Sequence, residues 1–176
     1  MLASAVLLAL VFLQSPAPSG PPKAPPSPGT PCIPPAFHQF DFWIGEWEVS
    51  NQQPPPGRTP PASKSRISRI LSGCAILEEY ETAQGYAGKS LNFHDATDGR
   101  WHQVWIDTGG TALFLAGGME GKSMVMRDDG ASGAINRITW TPLDGGKVRQ
   151  FWETSKDKGS TWQVAFDGLY SPRAAR

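Results

Sequence analysis

The sequence has little with which to do redox or metal chemistry: two cysteines and three histidines in 176 residues. It has no net charge either, 16 Lys and Arg standing against 16 Asp and Glu. A chain without a basic field has no means of holding nucleic acid or an anionic membrane surface. Nucleophilic catalysis has no signature here, since neither Gly-x-Ser-x-Gly nor a Cys-His arrangement occurs. No glycine loop follows a strand and opens a helix to cradle phosphate. No stretch sustains a helical period, which removes the crossover helices that parallel strands require. What the chain does have is 19 Gly and 17 Pro, the glycines falling between short apolar runs as turns of an all-β protein do.

Residues 2–13 are almost uninterrupted Leu, Ala, Val and Phe. That run is short for a bilayer span and the right length for the core of a signal peptide. It lacks the basic residue that normally precedes such a core, and Pro16 and Pro18 blur the cleavage site, so a misplaced start or a membrane anchor is the alternative. The expected division is a signal peptide over 1–17, a Pro-rich spacer over 18–36 and one β-barrel domain over 37–172. The export reading places the mature protein in the periplasm or outside the cell, with no stable membrane insertion after cleavage. In an oxidising compartment Cys32 and Cys74 are expected to join, closing a loop of about forty residues and stabilising by roughly 4 kcal/mol on the chain-entropy argument. Two free buried thiols are the alternative.

The stretch WHQVWIDTGG, residues 101–110, alternates with period two. Trp101, Gln103, Trp105 and Asp107 fall on one face, His102, Val104 and Ile106 on the other. About ten such strands follow one another through short turns, which predicts an antiparallel meander whose unpaired edges are removed by closure into a barrel. FHQFDFWIGEWEVS, residues 37–50, reads as the first strand with an aromatic lead-in, Trp43, Trp47 and Val49 sharing a face. In CAILEEYET two registers compete: one carries Ile76, Glu78 and Tyr80 inward, the other Leu77.

The motifs FDFWIGEWEV, GCAILEEY, GYAGKSLNFHD, WHQVWID, NRITW, VRQFWETS and FDGLY, in this order, resemble a bacterial family of exported proteins of unknown function with a calycin-like (lipocalin- or nitrobindin-like) barrel. The resemblance covers nearly all of residues 32–170 and implies the closed barrel, with no established activity. Nitrobindin-like relatives hold haem through a histidine, expected in the last three strands. The histidines here are His38, His94 and His102, none in those strands, so no cofactor is expected. His94 and His102 fall on neighbouring strands and could face each other, but two histidines without a third ligand are a weak metal site.

With one face of each strand looking in, the inward set includes Trp43, Trp47, Ile76, Tyr80, Trp105, Trp140, Trp152, Trp162, Val164 and Phe166, with Glu78, Gln103, Asn136 and Gln150 among them. An aromatic wall with polar groups set into it is how ligand pockets are commonly built. The expected function is binding of a small apolar or aromatic molecule, by Trp43, Glu78, Tyr80, Gln103, Trp105, Asn136, Trp140, Gln150 and Trp152. Two alternatives stand beside it: a small barrel enzyme using interior carboxylates, Glu78 with Asp107, and a structural or protein-binding module whose core is filled. Arg69, Arg137 and Arg149 fall on the outer faces, expected to pair with Glu46, Glu153 or Asp107. The sequence sets no oligomeric state.

Overall fold

A computed structural model of the chain describes residues 32–54 and 56–173; the expected signal peptide, and the spacer as far as residue 31, lie outside them. Ten strands follow in order: β1 Gly45–Asn51, β2 Ser63–Ile70, β3 Ala75–Glu81, β4 Ala87–Asp95, β5 Arg100–Asp107, β6 Ala112–Glu120, β7 Ser123–Arg127, β8 Ile135–Pro142, β9 Val148–Ser155 and β10 Gln163–Pro172. Each pairs antiparallel with its neighbour in sequence, and β1 also pairs with β10 through Trp47↔Pro172 and Val49↔Tyr170, so the meander closes. A closed barrel leaves no edge exposed to another chain. The architecture is consistent with a calycin-like fold.

The first strand is shorter than the sequence pattern suggests. Residues before Gly45 form two 3₁₀ turns, Pro35–His38 and Asp41–Trp43, which fold over one end of the barrel. Phe40 and Trp43 are fully buried there. Phe40 stacks on Trp43 at 4.9 Å and meets Trp101 and Trp140 edge-on at 5.7 and 5.2 Å. Such clusters combine large apolar burial with favourable ring geometry. The aromatics of the lead-in therefore go to a plug and not to a strand. Cys32 is joined to Cys74, at the turn between β2 and β3, and Arg69 pairs with Asp41 in the same region. The disulfide and the ion pair fix the plug to the barrel wall.

The walls differ in chemistry. On β7, β8 and β10 the inner face is mostly apolar, with Met124, Met126, Ile138, Trp140 and Tyr170 buried together with the amide of Asn136. On β2 to β5 it carries Ser63, Ser65, Glu78, Ser90, Asn92 and Gln103, also buried. Buried polar groups persist only when hydrogen-bonded, and these bond to one another across the strands.

The last strand departs from strict alternation. A β-bulge lies between Val164, which pairs with Glu153, and Phe166, which pairs with Trp152. The extra residue switches the face, so Trp162 and Val164, expected inside, lie outside. Val164 is exposed, and the Trp162 ring packs under the Arg137 guanidinium at 3.9 Å. Of the outer arginines, Arg137 pairs with Glu153 at 2.9 Å as expected. Arg149 instead forks onto Asp167, at 2.8 Å to each oxygen, because β9 and β10 are neighbours that place Arg149 opposite Leu169 and within reach of Asp167. Arg69 reaches the plug, and Glu46 pairs with Arg173.

Candidate functional site

Above the plug the barrel is not filled. A cavity of about 190 Å³ lies between the aromatic side chains Trp105, Trp152 and Phe166 and the polar group of Glu78, Gln150 and Tyr170. Tyr80 and Gln103 also border it. Its lining runs out to Tyr86 and Ala165, both exposed, so it opens at the end opposite the plug.

Two glycines set its walls. At Gly88 a β-carbon would stand 2.2 Å from Trp105 Cζ2, and at Gly168 one would stand 2.4 Å from Phe166 Cε1. Both rings lie against bare backbone, which widens the space in front of them. Asp107 holds the mouth: its Oδ2 accepts from Trp105 Nε1 at 3.1 Å and from the Tyr86 hydroxyl at 2.9 Å. Its other oxygen accepts from the amides of Gly109 and Thr111. Partial desolvation acts upward on this carboxyl, but those hydrogen bonds outweigh it and hold it below the usual carboxylate range. The Tyr86 phenol is pushed up to about 12, by burial first and then by the neighbouring Asp107.

The polar side is a connected network centred on Glu78, which is 3 % exposed. Ser65 Oγ donates to its Oε1 at 3.0 Å, Ser90 Oγ to its Oε2 at 2.9 Å, and the Tyr170 hydroxyl lies 3.2 Å from Oε1. Behind Ser90, Asn92 Nδ2 donates to Ser90 Oγ at 2.9 Å, and Gln103 Nε2 donates to Asn92 Oδ1 at 2.7 Å. Tyr170 also reaches Gln150 Oε1, at 2.6 Å. Burial pushes the Glu78 carboxyl up to about 7, against the downward pull of the three hydroxyls. Burial, and then Glu78, raise the Tyr170 phenol well above its ordinary range, so it remains a donor.

Of the residues the sequence singled out, Glu78, Tyr80, Gln103, Trp105, Gln150 and Trp152 come together around the cavity. The register that carries Glu78 inward is the one adopted. Trp43 and Trp140 meet at 5.5 Å within the plug contact. Asn136 stands behind the wall, its Oδ1 accepting from Trp152 Nε1 at 2.9 Å and its Nδ2 donating to Asp128 at 2.6 Å. Tyr170 was missed, although period two continued from Phe166 would have found it. Ser65, Ser90 and Asn92 gave no signal of their own, being small polar residues of a kind common on outer faces.

The histidines do not face one another. The register pairs His94 with Trp101 and His102 with Phe93, which sends the two rings to opposite faces. His94 meets Phe37 edge-on at 5.1 Å, while His102 stacks on Phe93 and bonds to Asp98 at 2.9 Å. Among the described residues, one group of three, Asp95, Asp98 and His102, brings possible metal-ligating atoms within 4.8 Å of one another. It lies at the β4–β5 turn, where Asp95 and Asp98 already accept from the amides of Thr97 and Arg100. Of the two carboxylates singled out together, Glu78 borders the cavity, while Asp107 is absent from its lining and accepts from Trp105 and Tyr86 at the mouth. No protein-family model and no curated protein matches this chain.

Proposed function

We propose that the barrel is a binding protein for a small, single-ring molecule, held in the cavity between Trp105, Trp152 and Phe166. The observation that carries this reading is the cavity itself, aromatic on one side and polar on the other, with a mouth at Tyr86. Its 190 Å³ exceeds the ~150 Å³ that suffices for benzene in an apolar core and falls below the ~300 Å³ at which drug-sized pockets begin. Three aromatic faces supply contact area, and the Glu78 network supplies orientation. A filled-core module is disfavoured by the same space. The Cys32–Cys74 bridge supports a protein that works in an oxidising compartment, as an exported member of the calycin-like family would.

Native mass spectrometry of the protein purified from its own host tests the reading. A co-purifying small molecule that quenches tryptophan fluorescence when added back is expected. Bare protein whose tryptophan emission is also unmoved by phenol, benzyl alcohol and benzylamine would overturn it.

A further inference from the structure

Glu78 is a carboxylate in the interior of the barrel that no cation among the described residues meets. Among the described residues, the ion pairs of Arg66, Lys89, Arg69, Arg137, Arg149 and Arg173 involve carboxylates other than Glu78. Its own partners are three neutral hydroxyls, from β2, β4 and β10. Buried carboxylates are ordinarily paired with a positive group, since isolated burial of the charge is costly.

The network is nonetheless built for an anion. Gln103 donates to Asn92, Asn92 to Ser90 and Ser90 to Glu78 Oε2, so these three hydrogen bonds run in one direction, toward the carboxylate. Ser65 adds a donor from the other side. Chains of this kind polarise in one direction and reinforce the charge at their end. A carboxylate has about four acceptor positions. The two serines take one on each oxygen, and Tyr170, closer to Gln150 than to Glu78, makes the weaker claim on a third. Acceptor capacity is left over on Glu78, which borders the cavity. The rings of Tyr80, Trp105, Trp152 and Phe166 line the same cavity, and aromatic faces attract a cation.

We propose that the cavity takes a small organic cation, a protonated amine carried on a single ring, with its ammonium on the Glu78 carboxylate and its ring among the tryptophans. This deepens, and rests on, the reading of the cavity as a ligand site. The titratable groups that face Glu78 are phenols, Tyr170 from β10 and Tyr80 from its own strand; β2 and β4 present serines and β9 presents Gln150. Because burial brings the carboxyl to about 7, an arriving ammonium ionises it and releases a proton near neutral pH.

The test compares benzylamine with benzyl alcohol, a neutral molecule of the same shape, by tryptophan fluorescence and by calorimetry in two buffers of different ionisation enthalpy. Benzylamine is expected to bind about tenfold tighter than the alcohol at roughly pH 8. That advantage should fall by about tenfold or more near pH 5.5, as Glu78 protonates. Proton release on binding should appear near neutral pH, and Glu78→Gln should abolish the preference for the amine. Alcohol binding with no amine preference in the native protein, or proton uptake, overturns the inference and leaves the cavity reading standing. If neither molecule binds, the inference fails, and with phenol also unbound and no molecule co-purifying the cavity reading fails with it. The pH dependence is read on the unaltered chain, so the outcome does not depend on the variant folding.

Discussion

The Trp105 indole occupies the space that a side chain on residue 88 would need: a β-carbon there would lie 2.2 Å from the ring. The far end of an indole can swing away, but here the ring is also held by its bond to Asp107. Gly88→Ala is therefore expected to push Trp105 into the cavity at a cost of about 1–3 kcal/mol. Single-ring ligands should be lost while the far-ultraviolet dichroism of the barrel is retained. A thermal melt and a benzyl alcohol titration of the variant check both halves.

Glu78 gives the fold a pH dependence of definite sign. Its carboxyl goes from an ordinary 4.5 to about 7 in the folded chain, so the folded state prefers the proton. The stabilisation is complete below about pH 4.5 and is lost as pH rises through about 7, with a span on the order of 3 kcal/mol. Glu78→Gln should remove that slope and be the more stable protein at about pH 8. Urea melts of both proteins from about pH 5 to pH 8 supply the comparison; parallel stability curves would show that Glu78 is not the group responsible.

The bridge between Cys32 and Cys74 closes a separation of 42 residues. Denatured, unreduced protein should show no reactive thiols. Replacing both cysteines with serine should cost about 4 kcal/mol, seen as a lower denaturation midpoint with a steeper slope, because the unfolded chain is released from its cross-link. The site lies at the far end of the barrel, so the double variant, kept cool enough to stay folded, should still take benzyl alcohol with native affinity.

Asn136 acts on the cavity through Trp152. Its side chain links Asp128 to the Trp152 indole at 2.6 and 2.9 Å, and it is not part of the lining. Asn136→Ala should leave the half-buried Trp152 indole N–H without its protein partner and cost about 1 kcal/mol. Ligand affinity should fall with it, accompanied by a shift of tryptophan emission. Affinity and emission unchanged in the alanine variant would show that Trp152 is held by packing alone.

Strand alternation made the barrel legible, because period two and glycine-rich turns are local properties of the chain. The inward placement of Gln103, Trp105 and Trp152 followed from the same rule. It failed at Trp162 and Val164, where a bulge inserts one residue and reverses the faces, an event with no local mark in STWQVAF. It failed again at the first strand, where Phe40 and Trp43 satisfy any apolar pattern yet are claimed by the barrel end. The Glu78 network was illegible for a different reason: Ser65, Ser90 and Asn92 matter only through partners on other strands, 12 and 13 residues apart for the two serines.

The plug has a consequence for how the protein can be carried. Cys32, the first residue described, is fastened beside the β2–β3 turn, and Arg173, the last, donates its amide to Glu46 at the start of β1. Both ends of the barrel domain thus leave from the stoppered end, while Tyr86 and Ala165 mark the rim opposite. An attachment made at Cys32 or at Arg173 therefore joins the barrel on the side away from its opening.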